Sequence, residues 1–189
     1  MSLSPDTTDL IARARADLRM GVPVVLIDGA TGVLAAAVET LDAPRLAEIR
    51  ALREAPVVVI SARRAETLKA RAYDGDLARI VLPADADQSW VQSVADPADD
   101  LEKPMKGPLM SARDGSAALH RLAMQLAKSA RMLPAALVVG LDDPKGFAAL
   151  HGLTVLDAGQ TFPHLKLNSP MHSVVSARLP IEVSDLGRL

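Results

Sequence analysis

The sequence contains no cysteine, and this absence excludes several kinds of site at once. Disulfide bonds, thiolate nucleophiles and cysteine-ligated zinc or iron–sulfur centres cannot form. Aromatic residues are also scarce, with two Phe, one Tyr and one Trp in 189 residues, which leaves little material for stacking on bases or sugars. The core must therefore be built from Ala, Leu and Val.

The chain also lacks an excess of charge and a long apolar run. Its 21 Lys and Arg residues almost balance 23 Asp and Glu residues, for a net charge of -2, so the composition does not predict a polyanionic partner such as nucleic acid. No stretch approaches the roughly 20 apolar residues that cross a bilayer, and the first residues do not resemble a signal peptide. We therefore expect a soluble, cytoplasmic protein that binds neither nucleic acid nor a membrane.

Apolar strands alternate with amphipathic helices over the first half of the chain. The runs PVVLID and PVVVIS are continuous and rich in β-branched residues, as is typical of strands covered on both faces, and VLAAAVET continues the sheet. Helices are predicted before Gly21, after a cap at Asp42 and over residues 64–72. This alternation predicts an α/β sandwich with a mixed or parallel sheet.

Two segments of the sequence are predicted to be irregular. Residues 82–108 are rich in Asp, Pro and Ala without a sustained period, which indicates a surface loop. The acidic residues of that loop are expected to be solvated; they are Asp96, Asp99, Asp100 and Glu102. The pair Asp142 and Asp143, in the run GLDDPKG, is predicted to form a tight turn.

A long helix and a proline-punctuated tail complete the predicted organisation. The helix is expected over residues 115–132, with an apolar stripe formed by Leu119, Leu122, Ala123, Leu126 and Ala130. The strands AALVVGL and LTVLDAG follow it, and the remaining sequence is interrupted by prolines and reads as strand-like. We predict one domain over residues 1–157 and a linker or tail over residues 158–189.

The order of four segments carries a resemblance to a known family. The segments are ARADLRMGVPVVLIDG, AAAVETLDAPRLAEIRAL, PVVVISARRAETLKA and LAKSARMLPAALVVGL. Together they resemble 3,4-dihydroxy-2-butanone 4-phosphate synthase, an enzyme of riboflavin biosynthesis, roughly over residues 10–156. The resemblance implies a mixed-sheet α/β sandwich of that type. It also implies magnesium-dependent conversion of ribulose 5-phosphate into a four-carbon phosphate and formate.

The motifs that carry chemistry in that family are incomplete here. In place of the acidic run D-[DE]-x-D-R-E-N-E-G-D the sequence has DGATG, in which Asp28 matches the first acid. In place of R-G-G-H-T-E-A, Leu119 occupies the histidine position, His120 follows it and Arg121 replaces the glutamate. A one-residue offset on a helix rotates a side chain by about 100°. The serine- and threonine-rich phosphate segment has no counterpart. The sequence therefore indicates a catalytically degenerate domain.

Three residues are the remaining candidates for catalysis. They are Asp28, Glu39 and His120. For Asp28 the alternative is a plain turn between two strands, because glycines follow it, and for His120 the alternative is an isolated surface or capping histidine. The four histidines show no paired metal-ligand spacing. We therefore expect no metal site and no cofactor, with Mg²⁺ required only if a residual lyase activity has been kept.

Two arginines are the candidates for binding a substrate phosphate. Arg63 and Arg64 follow Ser61 at a predicted helix start, where backbone N–H groups and positive charge favour an anion. The alternative is a solvated helix face.

The predicted partners follow from the same resemblance. The tail SVVSARLPIEVSDLGRL resembles the entry into a GTP cyclohydrolase II domain, which implies such a domain as a possible partner. The cysteine-free chain cannot itself hold that domain's zinc. The family resemblance also implies a homodimer, which we expect to pack through the alanine-rich helix over residues 117–130. The hypotheses are thus a dimerisation, folding or regulatory module, a residual sugar-phosphate lyase, or a module that binds a nucleotide or flavin precursor.

Overall fold

The computed structural model describes residues 4–165, in which seven α-helices and seven strands follow one another. The strands are β1 (Val24–Asp28), β2 (Thr31–Ala37), β3 (Val57–Ser61), β4 (Leu77–Val81), β5 (Ser111–Ala112), β6 (Ala135–Leu141) and β7 (Val155–Asp157). The helices are α1 (Thr7–Arg19), α2 (Ala43–Arg50), α3 (Ala62–Thr67), α4 (Gln88–Ala95), α5 (Ala118–Ser129), α6 (Pro144–His151) and α7 (Ala158–Leu165). A short 3₁₀ turn, Pro97–Asp100, follows α4. Within residues 4–165 every helix is too short or too polar to span a bilayer.

The strands form one mixed sheet in the order β5-β4-β3-β6-β2-β1-β7. The pairing of β1 with β7 is parallel, and the other five pairings are antiparallel. The chain first makes two hairpins, β1–β2 and β3–β4, and the later strand β6 lies between them and pairs with both β2 and β3. The predicted mixed sheet is confirmed.

Helices cover both faces of this sheet. Successive side chains of β1 point to opposite faces, so Val24 and Leu26 contact the α1, α5 and α7 side, whereas Val25 and Ile27 contact the α2, α3, α4 and α6 side. A strand buried on both faces has no polar side, which explains why the strand sequences are continuously apolar. The predicted sandwich is therefore confirmed.

Helix α5 is the central helix of its face. The predicted stripe is buried against the sheet, with exposed fractions of 5% or less for Leu119, Leu122, Ala123, Leu126 and Ala130. The small side chains on this face let α5 approach the protein's own strands. This corrects the prediction that the alanines of residues 117–130 pack against a second copy, because four of the five lie inside the core and Ala118 alone is half-buried.

Residues 82–108 are more regular than their composition indicates. They include α4, which begins when the Asp87 carboxylate accepts a hydrogen bond from the Trp90 backbone N–H at 2.7 Å. Val91 and Val94 of this helix are fully buried. The prediction of an irregular loop was wrong here because the residues that lead into the helix, including its cap Asp87, also read as loop residues.

Two other predicted irregular or extended segments are also helical. Asp143 caps α6 by accepting a hydrogen bond from the Gly146 N–H at 3.0 Å, so the predicted tight turn is a helix start. The predicted strand-like tail instead begins with α7, whose Ala158 and Leu165 are buried with α1 and α5. The rest of the predicted tail, residues 166–189, lies outside the described residues, and the division at residue 157 stays a prediction.

The third helix is shorter than predicted and begins earlier. Ser61 caps α3 by accepting a hydrogen bond from the Arg64 N–H at 3.2 Å, and the helix ends before Lys69, which has a positive φ of 56°. Residues 70–72 are therefore not helical.

A buried ionic cluster attaches the segment after α4 to α3. The Arg64 guanidinium donates to both oxygens of Asp100, at 2.5 and 2.7 Å, and to the Ser93 and Val94 carbonyls. The buried Lys106 ammonium donates to the same carboxylate. Arg64 and then Lys106 hold the pKa of Asp100 well below its usual range. Asp100 is therefore an ion-pair partner, not a solvated loop residue as predicted.

Replacing Asp100 with Asn should lower the free energy of unfolding by about 2–3 kcal/mol, because two buried cations then lose their counter-charge. Urea denaturation followed by circular dichroism measures this change. Glu102→Gln, a change of the same chemistry at an exposed position, is the control and should have little effect. Equal unfolding midpoints for Asp100→Asn and Glu102→Gln would show that the cluster does not stabilise the fold.

Candidate functional site

The turn between β1 and β2 is a two-residue hairpin connection. Asp28 pairs with Thr31, which leaves Gly29 and Ala30 to reverse the chain. Gly29 adopts a φ of 61°, a conformation that glycine reaches without steric cost. The Asp28 side chain is exposed at the end of its strand. The turn thus presents one carboxylate at this end of the sheet.

A small cavity of about 100 Å³ lies between this turn and the start of α5. Its polar lining consists of Asp28, Thr31, Ser116 and His120. The structure therefore brings two of the three predicted catalytic candidates, Asp28 and His120, to one place. Leu119, which occupies the histidine position of the family motif, also lines the cavity and is buried.

His120 is a largely buried, neutral histidine. Its Nδ1 atom is buried and has no hydrogen-bond partner. Burial is the main cause that lowers the pKa of His120 to about 4; Arg79 adds to the shift, and Asp74 opposes it. His120 is thus partly buried rather than fully exposed, and a backbone hydrogen bond with Ser116 opposes the lowering of its pKa. An imidazole with this pKa is uncharged at pH 7.

Two arginine–carboxylate pairs stand beside the start of α5. The buried Arg79 of β4 donates to both oxygens of Asp74, at 2.8 and 3.1 Å, and to the Asp114 carbonyl at 2.8 Å. Arg121 donates to both oxygens of Asp76 at 2.6 Å, which lowers the pKa of Asp76. These pairs fix the segment that carries His120. Sequence reasoning missed Arg79, because nothing in the run LARIV distinguishes a buried arginine from an exposed one.

Glu39 lies at the other end of the sheet from Asp28. The seven residues of β2 separate the two positions, which corresponds to roughly 23 Å. The Glu39 carboxylate accepts a hydrogen bond from the Leu133 backbone N–H at 2.7 Å. This corrects the prediction that Glu39 acts together with Asp28; its described contact instead holds the connection between α5 and β6.

Arg63 and Arg64 are also remote from the cavity. They follow the last residue of β3, which runs antiparallel to β6, whereas the end of β6 pairs beside the Asp28 turn. Arg63 is exposed. The guanidinium of Arg64 is occupied by Asp100 and backbone carbonyls, so the prediction that Arg64 holds a phosphate is corrected.

The cavity does not fit a magnesium ion. Mg²⁺ takes hard oxygen ligands in near-octahedral geometry, and the cavity lining includes one carboxylate, that of Asp28. Between residues 4 and 165, no group of three or more His, Asp or Glu side chains could hold a metal ion.

The chain has the fold of 3,4-dihydroxy-2-butanone 4-phosphate synthase. A two-domain enzyme of this name from A. baumannii superposes with a TM-score of 0.62 and 16% sequence identity, covering 90% of this chain and 60% of that one. A second such enzyme, in complex with two magnesium ions, gives a TM-score of 0.60 at 15% identity, covering 84% of this chain and 97% of that one. The recognition from sequence is thus confirmed at the level of the fold.

The sequence is also similar to that of a GTP cyclohydrolase. GTP cyclohydrolase-2 from Azospirillum brasilense is 29% identical over 185 residues, which cover 93% of this chain and 47% of that protein. This chain therefore spans about half the length of that relative. No protein-family model matches the sequence.

Replacing His120 with Leu should reduce the loss of stability between pH 6.5 and pH 4. In this window the unfolded imidazole, with a pKa near 6.5, binds a proton that the folded one, with a pKa of about 4, does not bind. The free energy of unfolding of the parent protein must therefore fall as the pH falls. Thermal melts across this pH range measure the effect.

The control is His164→Gln, which removes an exposed histidine of α7 and should keep the pH dependence of the parent protein. A slope in His120→Leu equal to that of the parent would contradict the assignment of His120 as a buried neutral group.

Proposed function

We propose that this chain is a catalytically inactive domain of the butanone-phosphate-synthase type that serves as a dimerisation, folding or regulatory module of a GTP cyclohydrolase II-type protein of riboflavin biosynthesis. The proposal includes a cytoplasmic location, which the cysteine-free sequence supports. It requires no cofactor.

The observation that carries this proposal is the single carboxylate of the cavity. Rearranging a pentulose phosphate requires proton transfers next to a carbonyl and a Lewis acid on the substrate oxygens. Asp28 alone does not provide the ligands of a divalent cation, and the acids Asp74 and Asp76 are engaged by Arg79 and Arg121. The neutral His120 adds one proton acceptor but no negative charge.

The link to a cyclohydrolase rests on the sequence match. The aligned region covers nearly the whole of this chain and less than half of GTP cyclohydrolase-2. A partner domain in the rest of such a protein is consistent with that ratio. In this arrangement the cyclohydrolase chemistry belongs to the partner domain, and this domain contributes a stable folded surface.

A residual magnesium-dependent lyase that acts on ribulose 5-phosphate is the rival function. The observation that favours this rival is that Asp28 and His120, which match or neighbour positions of the family's catalytic motifs, line the same cavity. Under this alternative, Asp28 would be the one protein carboxylate available to hold a metal ion, which would supply Lewis-acid chemistry, and His120 would be the proton acceptor.

Incubation with ribulose 5-phosphate and Mg²⁺ should release no formate above the protein-free control. Formate is measured with a coupled dehydrogenase assay. The assay runs for hours at high protein concentration so that even slow turnover is detected, because an inactive site releases no formate at any time. Asp28→Asn is the matched variant for this assay. If the parent chain releases formate and Asp28→Asn abolishes that release, the result supports the rival lyase and contradicts the proposal of an inactive domain.

The chain should form a homodimer at micromolar concentration, with Ala123 and Ala127 of α5 excluded from the interface because they are buried in each subunit. Analytical ultracentrifugation measures the mass. Replacing Lys128, the exposed residue of α5, with Glu should leave the mass unchanged. A monomeric mass across the micromolar range would contradict dimerisation and leave folding or regulation as the role of the module.

A further inference from the structure

A second cavity of about 350 Å³ opens between α2 and α6, on the face of the sheet opposite α5. Its size falls in the range of pockets that bind small molecules. The floor includes the core residues Leu34 and Ile49, and Leu52 and Leu153 line it further. It shares no residue with the Asp28 cavity, so it requires its own explanation.

One wall of this cavity is aromatic in a chain that has few aromatic residues. Phe147 is one of only two phenylalanines in the sequence. Its ring contacts the His151 imidazole with the centroids 4.4 Å apart and the planes tilted by 37°, and both residues line the cavity. A phenylalanine ring and aliphatic side chains that line the same cavity are suited to packing against a ring of a ligand.

Arg45 places a positive charge on the lining of this cavity. Its guanidinium forms a part-exposed ion pair with the Asp42 carboxylate at 3.6 Å, a distance too long for a hydrogen bond. In the part of the chain that the structure describes, the Arg45 side chain donates no hydrogen bond. Its donors are therefore available to a ligand at the edge of an apolar space.

Gly21 makes this position of Arg45 possible. A Cβ atom on Gly21 would lie 2.7 Å from the Nη1 atom of Arg45 and 2.7 Å from the Thr40 carbonyl oxygen. Any other residue at position 21 would therefore displace the guanidinium. The glycine also has a φ of 76°, which other residues adopt at a cost.

Glu48 limits the charge of the ligand. It lines the same cavity one turn after Arg45 and is exposed. A second negative charge on the ligand would be repelled by this carboxylate, so the lining favours one anionic group and disfavours an oligophosphate.

We propose that the cavity between α2 and α6 binds a small aromatic monoanion, with its ring between Phe147 and the aliphatic floor and its acidic group on Arg45. The inference does not depend on the proposed function, because the Asp28 cavity takes no part in it. It assigns a ligand-binding site to the face of the domain that is remote from the remnant of the family's active site.

The test uses the full 189-residue chain and two fluorescent probes of similar shape. One is 1-anilinonaphthalene-8-sulfonate, a monoanion, and the other is N-phenyl-1-naphthylamine, which is neutral. The anion should bind saturably at one site. Arg45→Gln should weaken its binding about tenfold, the usual effect of losing one charge-assisted hydrogen bond, and should change binding of the neutral probe less than twofold.

Three further variants locate the site. Arg53→Gln removes an exposed arginine outside the cavity lining and should leave both probes unaffected. Glu48→Gln should tighten binding of the anion, and Leu52→Trp, which fills the cavity, should weaken both probes. Thermal melts confirm that each variant is folded.

Unsaturable binding of the anion, or equal weakening by Arg45→Gln and Arg53→Gln, would overturn the proposal. If Arg45→Gln does not fold, Glu48→Gln and Leu52→Trp decide the question. Unchanged binding in both of those variants would then place the probe elsewhere and overturn the site.

Discussion

The closure of the β1–β2 hairpin through Gly29 and Ala30 determines which side chains can reach the space beside α5. A connection of two residues keeps Asp28 and Thr31 paired to the end of the ladder, so this turn is too short to extend over the cavity and brings no acid other than Asp28 to it. The position of Glu39 at the other end of β2 follows from the same pairing, because a strand holds its two ends apart. The backbone geometry of β1 and β2 thus limits the number of acidic side chains that these two strands bring to the cavity.

Two buried arginines organise the loops of the domain by binding carboxylates. Arg79 and Arg64 are each buried and each hold a carboxylate with two hydrogen bonds. One pair supports the segment before α5, and the other attaches the chain after α4. A buried cation without its partner is costly, so both pairs restrict the arrangement of the loops that they join. The acids that take part in them are unavailable for other work.

The sequence predicted five of the seven strands and the buried stripe of α5, because continuous apolar runs and 3.6-residue periodicity follow directly from burial against the sheet. It missed β4 and the two-residue β5. It failed for α4, α6 and α7, because the Asp, Pro and Gly residues at or near their starts also predict turns and loops. The family pattern selected Asp28 and His120 as candidates for catalysis, and the structure places both on the lining of one cavity. The sequence could not place Glu39 or Arg64, because their positions depend on strand direction and on partners distant in sequence. It also gave no signal for Arg79 or for the cavity beside Arg45.

Strand β6 lies in the middle of the sheet but is the sixth strand in the chain, and this has a consequence for the synthesis of the protein on the ribosome. The two hairpins meet only through β6, which is made after residue 134, so a ribosome must release most of the domain before the halves of the sheet can join. Until then each hairpin leaves one long apolar edge open to other chains. Pairings between such distant segments also form slowly. The order of synthesis therefore leaves the strand edges of the first half of the sheet unpaired until β6 has left the ribosome.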